Sequence, residues 1–182
     1  MADLNESANQ IFEKVGGLLR NWLFEEGAKK VDFEYVAVAL TSTYVCWLEL
    51  DGNWSRIHLP SEISFAMHDL RAAQADPRRG AWLWSHFWMD VSDGVLHQEA
   101  DWMREPVIDD EPVMDGDAAL ELDYFPRDPE WIPEWMATKA AAHQKVRDAR
   151  ERRRQRDCER RAKQKAEDAQ AEGASGSGRS GE

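Results

Sequence analysis

From Asp3 to Phe24 the apolar positions Leu4, Ala8, Ile11, Phe12, Val15, Leu18, Leu19, Trp22 and Leu23 recur at steps of three and four, the stripe of an amphipathic helix with one core-facing side. Gly16-Gly17 weakens that helix by roughly 1 kcal/mol per glycine relative to alanine, which leaves room for a bend or break, and Gly27 suits its C-terminal cap. The period then changes. Val31 to Leu40 and Thr43 to Leu50, rich in Val, Tyr, Phe, Thr and Trp, predict strands, and Asp51-Gly52-Asn53 turns the second into a third, Trp54 to Leu59. A second helix is expected over Glu62 to Ala75, with Ser61 as N-cap and Ile63, Ala66, Met67 and Leu70 on one side. Asp76 to Gly80 ends it.

Gly80 to Trp102, GAWLWSHFWMDVSDGVLHQEADW, carries four of the nine Trp. Asp93-Gly94 fits a two-residue type I′ turn, so Trp82 to Ser92 and Val95 to Trp102 are expected to fold back as an antiparallel hairpin. In that register Ser92 opposes Val95, Val91 opposes Leu96, Asp90 opposes His97, Trp88 opposes Glu99 and His86 opposes Asp101. Alternation puts Leu83, Phe87, Met89, Val91, Leu96, Gln98, Ala100 and Trp102 on a side that reads as core. The other side carries Trp82, Trp84, His86, Trp88, Asp90, His97, Glu99 and Asp101. Periodicity leaves open which side the helices cover.

Beyond Trp102 an acidic, proline-bearing stretch to Gly116, with Asp109, Asp110 and Glu111 in its middle, has no periodicity and reads as a surface excursion. Asp117 caps a short predicted helix, Ala118 to Phe125. The peptide from Phe125 to Met136 sets three prolines around aromatic anchors and predicts a strap laid over the core by Phe125, Trp131, Ile132 and Trp135. The expected fold is α+β over residues 1–136: an antiparallel sheet of about five strands, a meander plus a hairpin, with helices packed on one face. From Ala137 to about Gln170, Ala, Arg, Lys, Glu and Gln dominate, with Val146 the only large aliphatic residue, which predicts a basic charged helix lacking both a core face and a heptad seam. Residues 171–182 read as a disordered tail.

Charge divides the chain in the same place. The net charge is −12, yet the residues up to Met136 carry −17 and those after it +5; Asp90 to Glu134 holds 15 acidic residues against Arg104 and Arg127. Such a body repels nucleic acid and attracts basic partners. Two cysteines far apart, Cys46 in an apolar strand and Cys158 in a charged helix, exclude a disulfide framework. No transmembrane candidate is present, and a polar N-terminus makes the cytoplasm the expected compartment.

Enzyme signatures are missing: there is no phosphate-binding glycine loop after a strand and no Gly-x-Ser-x-Gly elbow, and neither cysteine has a suggestive His and carboxylate context. No cofactor motif occurs. The second face of the hairpin is the one constellation with chemistry. Asp90 with His97, and His86 with Asp101, are close enough in the expected register to touch. Without a spacing such as His-Glu-x-x-His, a half-exposed face of His–carboxylate pairs outweighs a metal centre or a metal-dependent hydrolase. Trp84 and Trp88 beside His86, Asp90, His97, Glu99 and Asp101, with Asp109, Asp110 and Glu111 further along, also make up a protein-binding patch in which Trp anchors and carboxylates meet Lys or Arg. The basic helix offers a rival. Between Lys139 and Lys165 there are 12 basic and 4 acidic residues, so a nucleic-acid-associated adaptor is the alternative, although no aromatics interleave for base stacking.

The run Trp84 to Trp102 with its Asp-Gly turn, followed by ELDYFPRDPEWIPEWM from Glu121 to Met136, resembles the YezG-like immunity proteins of bacteria, in particular actinobacterial members. The resemblance spans about residues 5–136; the basic helix departs from it. It implies a small cytoplasmic antitoxin, with no enzymatic activity, that protects its producer by binding the toxic domain of a polymorphic secreted toxin, often a nuclease. It assigns no contact positions, which come here from charge and pattern alone.

Overall fold

A computed structural model of the chain describes the backbone of residues 2–176 and the side chains of residues 7–166. The chain divides into two units, Met1–Ala141 and Ala142–Glu182. The first is an α+β domain. Helix α1 (Ala2–Glu26) leads into β1 (Lys30–Val38), β2 (Thr41–Leu50) and β3 (Asn53–Ile57), then α2 (Ser61–Ala73), β4 (Trp84–Asp90) and β5 (Leu96–Asp101). These strands form one antiparallel sheet in the order β3-β2-β1-β4-β5. A two-stranded ribbon, β6 (Val107–Ile108) and β7 (Glu111–Pro112), and helix α3 (Asp115–Tyr124) follow, then a 3-10 turn at Pro129–Trp131 and helix α4 (Glu134–Gly176).

Helix α1 is continuous through Gly16-Gly17. Gly16 is buried against the sheet, where an added Cβ would meet Leu96 Cβ at 3.6 Å and Met89 Cε at 3.9 Å, ordinary contact distances. Gly27, at φ 66, closes the helix: its N–H reaches the Phe24 carbonyl and that of Ala28 reaches Leu23. Val15, Leu19, Trp22 and Leu23 of the expected stripe are buried; the side chain of Leu4 lies outside the described residues. With Ile63, Ala66, Met67 and Leu70 of α2 they cover a single face of the sheet, on Val31, Phe33, Tyr35, Cys46, Leu48, Phe87 and Met89. Each such side chain contributes about 1.5–3 kcal/mol on burial. The Cys46 thiol is pushed up to about 12 by burial, which makes it an unreactive core group.

Several boundaries differ from expectation. Helix α2 begins at Ser61, so Pro60 takes the cap position and Ser61 does not cap. Helix α3 begins at Asp115, two residues before the expected capping Asp117. The acidic excursion contains the β6–β7 ribbon, and its two turn residues, Asp109 (φ 53) and Asp110 (φ 65), both have the positive φ of a type I′ turn. Helix α4 starts at Glu134, three residues before the expected Ala137, with Met136 fully buried beside Val38, Leu83, Val113 and Ala118. Lys139 belongs to this body too, donating to the Val113 carbonyl at 2.8 Å and pairing with Glu105 at 3.4 Å. In the second unit α4 runs to Gly176, six residues into the expected tail; residues 177–182 lie outside the described residues. The side chains of residues 142–166 are all exposed or half-buried.

A buried polar knot closes the first unit. Arg71 of α2 donates from Nη2 to both oxygens of Glu121 on α3 (2.7 and 2.8 Å) and from Nε to the Trp82 carbonyl (2.8 Å). Arg127, in the strap, donates to Glu121 (3.2 Å) and to the carbonyls of Ala81 (2.6 Å) and Trp102 (2.7 Å). Glu121 also accepts the N–H of Ala39, the left-handed residue (φ 51) of the β1–β2 turn, at 2.6 Å. Burial pulls the Arg127 guanidinium below its ordinary value while Glu121 opposes that shift. Gly80, at φ 71, lies beneath the knot: a Cβ there would sit 2.8 Å from Arg127 Cγ and Nε and 2.9 Å from the Phe125 carbonyl.

Candidate functional site: the open face of the sheet

The hairpin register is slipped by two residues from the expected one. Met89 opposes Leu96, Trp88 opposes His97, His86 opposes Glu99 and Trp84 opposes Asp101. The cause is Asp90. Its carboxylate accepts the Ser92 N–H (2.8 Å), its carbonyl accepts the Gly94 N–H (2.8 Å), and Val91 N–H is drawn to the Lys29 carbonyl on the β1 side (2.9 Å). Of the two residues expected to turn, only Gly94 has positive φ, so a wider loop replaces the type I′ turn. An even slip preserves side-chain parity, so the sorting into faces survives it.

Two residues nevertheless change sides. Val91 falls in the loop and is exposed, and Trp82 is core, at 1% exposure, with its indole N–H on Gln74 Oε1 at 2.8 Å. The Leu83 N–H bonds to the carbonyl of Asp101, the residue opposite Trp84, so two residues of one strand meet one of the other and the alternation breaks there. The expected contacts of Asp90 with His97 and of His86 with Asp101 do not form. His86 Nε2 lies instead 3.0 Å from Asp32 on β1, His97 lies 3.9 Å from Asp93, and Asp90 lies 3.6 Å from Lys30.

The helices leave the second face open, and it extends across all five strands. One row runs Trp54, Glu49, Lys30, Asp90; the next Arg56, Trp47, Asp32, Trp88, His97; then Val45, Glu34, His86, Glu99; and last Thr43, Val36, Trp84, Asp101. Trp54 is 49% exposed and Trp47 40%. Along β4 the rings form a ladder: Trp84 and His86 centroids are 6.3 Å apart, His86 and Trp88 4.9 Å, and Trp88 stacks on His97 at 5.2 Å. The Trp84 indole donates to Glu34 (3.1 Å), with the Arg104 guanidinium 5.1 Å above its ring. Asp90 is held below the usual carboxylate range, first by the Ser92 amide and then by Lys30, whose ammonium is raised by Glu49 and Asp90. Asp101 accepts the amides of Met103 and Arg104; the Glu99 carbonyl accepts the Ser85 hydroxyl (2.7 Å), and its carboxylate has no partner among the described residues.

Trp84, His86, Trp88, Asp90, His97, Glu99 and Asp101 thus share one surface. Asp109, Asp110 and Glu111 belong to the β6–β7 ribbon; Asp109 lies 3.5 Å from Thr43 at the border of that surface, and Asp110 and Glu111 are exposed at the same turn. Hairpin-centred reasoning missed Asp32, Glu34, Glu49, Trp47 and Trp54. The signal was present in the strict alternation of Lys-Val-Asp-Phe-Glu-Tyr-Val at 30–36, which assigns Asp32 and Glu34 to the polar side. Among the described residues no three His, Cys, Asp or Glu side chains are placed to hold one metal ion, and no helix is long and apolar enough to cross a membrane. No protein-family model matches the chain, and no curated protein shows significant similarity to it.

Proposed function

We propose that the protein is a cytoplasmic immunity protein that neutralises a basic toxin domain, of the nuclease kind, by covering its active-site cleft with the open face of the sheet. One observation carries this reading. Four tryptophans, Trp47, Trp54, Trp84 and Trp88, stand on an uncovered face among six carboxylates, Asp32, Glu34, Glu49, Asp90, Glu99 and Asp101, with Lys30 and Arg56 the cations in its rows. Large aromatic side chains supply most of the energy at protein interfaces, and an acidic surface steers a basic partner into place. The same charge would stand in for the phosphates that a nuclease cleft is built to receive. The resemblance of Trp84–Trp102 and Glu121–Met136 to YezG-like proteins supports the same partner class.

Co-expression with toxin domains encoded in the same genome, the product of the neighbouring gene first, tests the reading: growth is restored and the two proteins co-purify, and failure of both with every one ends it. A second reading rests on the other unit, where the basic residues from Lys145 to Lys165 lie on a stretch of α4, residues 142–166, in which no side chain is buried. As a nucleic-acid adaptor the full chain would shift DNA or RNA with a steep salt dependence, lost on replacing Arg152, Arg153, Arg154 and Arg156 by Gln. Binding without that salt slope removes this second reading.

A further inference from the structure

The sheet has two outer strands, β3 and β5. At β5 the direction of the backbone groups follows from the bonds on the other side of β4. The Ala37 N–H donates to the Leu83 carbonyl and the Val91 N–H to the Lys29 carbonyl, so odd-numbered residues of β4 turn their backbone groups toward β1 and even-numbered ones toward β5. Trp84, His86 and Trp88 pair with Asp101, Glu99 and His97. Those three residues of β5 therefore face β4, and Gln98 and Ala100 turn their N–H and C=O groups outward, with no partner for them among the described residues.

This outer strand borders two different environments. The side chains of His97, Glu99 and Asp101 stand on the open acidic face. Those of Gln98, Ala100 and Trp102 line a cavity of about 590 Å³ that Ala8 of α1 and Gln74 and Arg79, at and beyond the end of α2, also line. An extended peptide laid along such an edge gains main-chain hydrogen bonds, and its alternate side chains are read on the two sides. Strand β3, the other outer strand, carries a cation, Arg56, on its open side, which repels a basic segment. A second copy of the chain is disfavoured by charge, since each copy carries −12.

Resting on the reading above, we propose that the partner adds a strand to β5: its main chain bonds Gln98 and Ala100, its Lys or Arg side chains meet Glu99 and Asp101, and its apolar side chains on the alternate positions enter the cavity. The partner segment then has basic and apolar residues in alternation. The probe is the toxin domain that co-purifies in the co-expression test, and the measurement is amide hydrogen exchange on the full chain with and without it, together with binding by Ala100→Pro and Trp88→Ala. Proline is tolerated at an edge position whose N–H faces outward, so Ala100→Pro is expected to melt as the unaltered chain does.

In the complex the Gln98 and Ala100 amides are expected to exchange at least ~10-fold more slowly, and Ala100→Pro to weaken binding at least ~10-fold. A complex weakened by Trp88→Ala, but with unchanged exchange at those two amides and full binding by Ala100→Pro, overturns strand addition and leaves the face intact. No complex at all overturns both. Should Ala100→Pro fail to fold, exchange on the unaltered chain decides. Protection of the two amides in the free protein, with a dimeric mass, overturns the proposal in favour of a second copy.

Discussion

Trp82 and Trp84 are two positions apart and have opposite fates. The first is sealed in the core, edge-on to Tyr35 and Phe87 with centroids 6.0 Å away; the second stands on the open face with its N–H on Glu34. The same contrast holds for the two faces of the sheet as a whole. On the covered face Phe33 stacks on Phe87 at 5.1 Å, and on the open face Trp88 stacks on His97 at nearly the same distance, 5.2 Å. Ring contact therefore does not distinguish a core aromatic from one on the open face. What differs is the neighbourhood: aliphatic helices over one set of rings, carboxylates and solvent around the other. The covered rings contribute to folding, and the open rings keep apolar surface in water, the surface that the proposed partner would bury.

The charges obey the same division and give the sharpest break of the comparison. Glu121→Ala leaves Arg71 and Arg127 buried without their carboxylate and is expected to cost about 3–5 kcal/mol in a denaturant melt. A loss below about 1 kcal/mol, the value of an exposed pair, would place the knot with the surface charges. Phe87→Ala, on the covered face, is expected to cost about 3–5 kcal/mol through lost burial and a cavity. Trp88→Ala, its neighbour on the open face, is expected to cost about 1 kcal/mol in stability but 2 kcal/mol or more in partner affinity. Equal stability losses for the two would erase the distinction between faces. The triple change Asp90→Asn, Glu99→Gln, Asp101→Asn is expected to slow association and flatten its salt dependence with little effect on dissociation, as stopped-flow mixing at several salt concentrations would read.

The smallest effect concerns pH. The Asp90 and Asp76 carboxylates are held below their ordinary range, each first by a backbone amide, of Ser92 and of Arg78. Both stabilise their turns above the ordinary carboxylate range, and that stabilisation is lost as pH falls through their depressed values. Protection of the Ser92 and Arg78 amides, their exchange relative to the intrinsic rate at each pH, is expected to fall below about pH 4 before the core opens.

Much of the fold was legible because the periodicities were clean. The stripe of α1, the buried side of α2 and the alternation in β4 each fixed a face, and parity protected the open-face assignment from a two-residue slip. The slip itself was hidden, since a side chain bonding its own turn, as Asp90 does, competes with the Asp-Gly signal. Trp82 was misplaced because a bulge leaves no mark in composition. The Arg71–Glu121–Arg127 knot was invisible for another reason: its members are 50 and 6 residues apart, and nothing local marks a charge as buried. The open face beyond β4 and β5 depended on strand order, with β1 between β2 and β4, which the hairpin alone does not reveal.

Gly80 and the knot above it also order events in time. A chain emerging from the ribosome presents Arg71 and the sheet's first four strands long before Glu121 and Arg127 are made. Until those two residues are out of the tunnel, Arg71 has no carboxylate to neutralise it in the core, and the left-handed Ala39 has no acceptor for its N–H. The knot is thus completed by the residues made last, Glu121 on α3 and Arg127 in the strap. Chains that stop short of Arg127 are expected to be cleaved sooner in limited proteolysis than the full chain, and a side chain at position 80, which would meet Arg127 and the Phe125 carbonyl within 3 Å, is expected to act in the same direction.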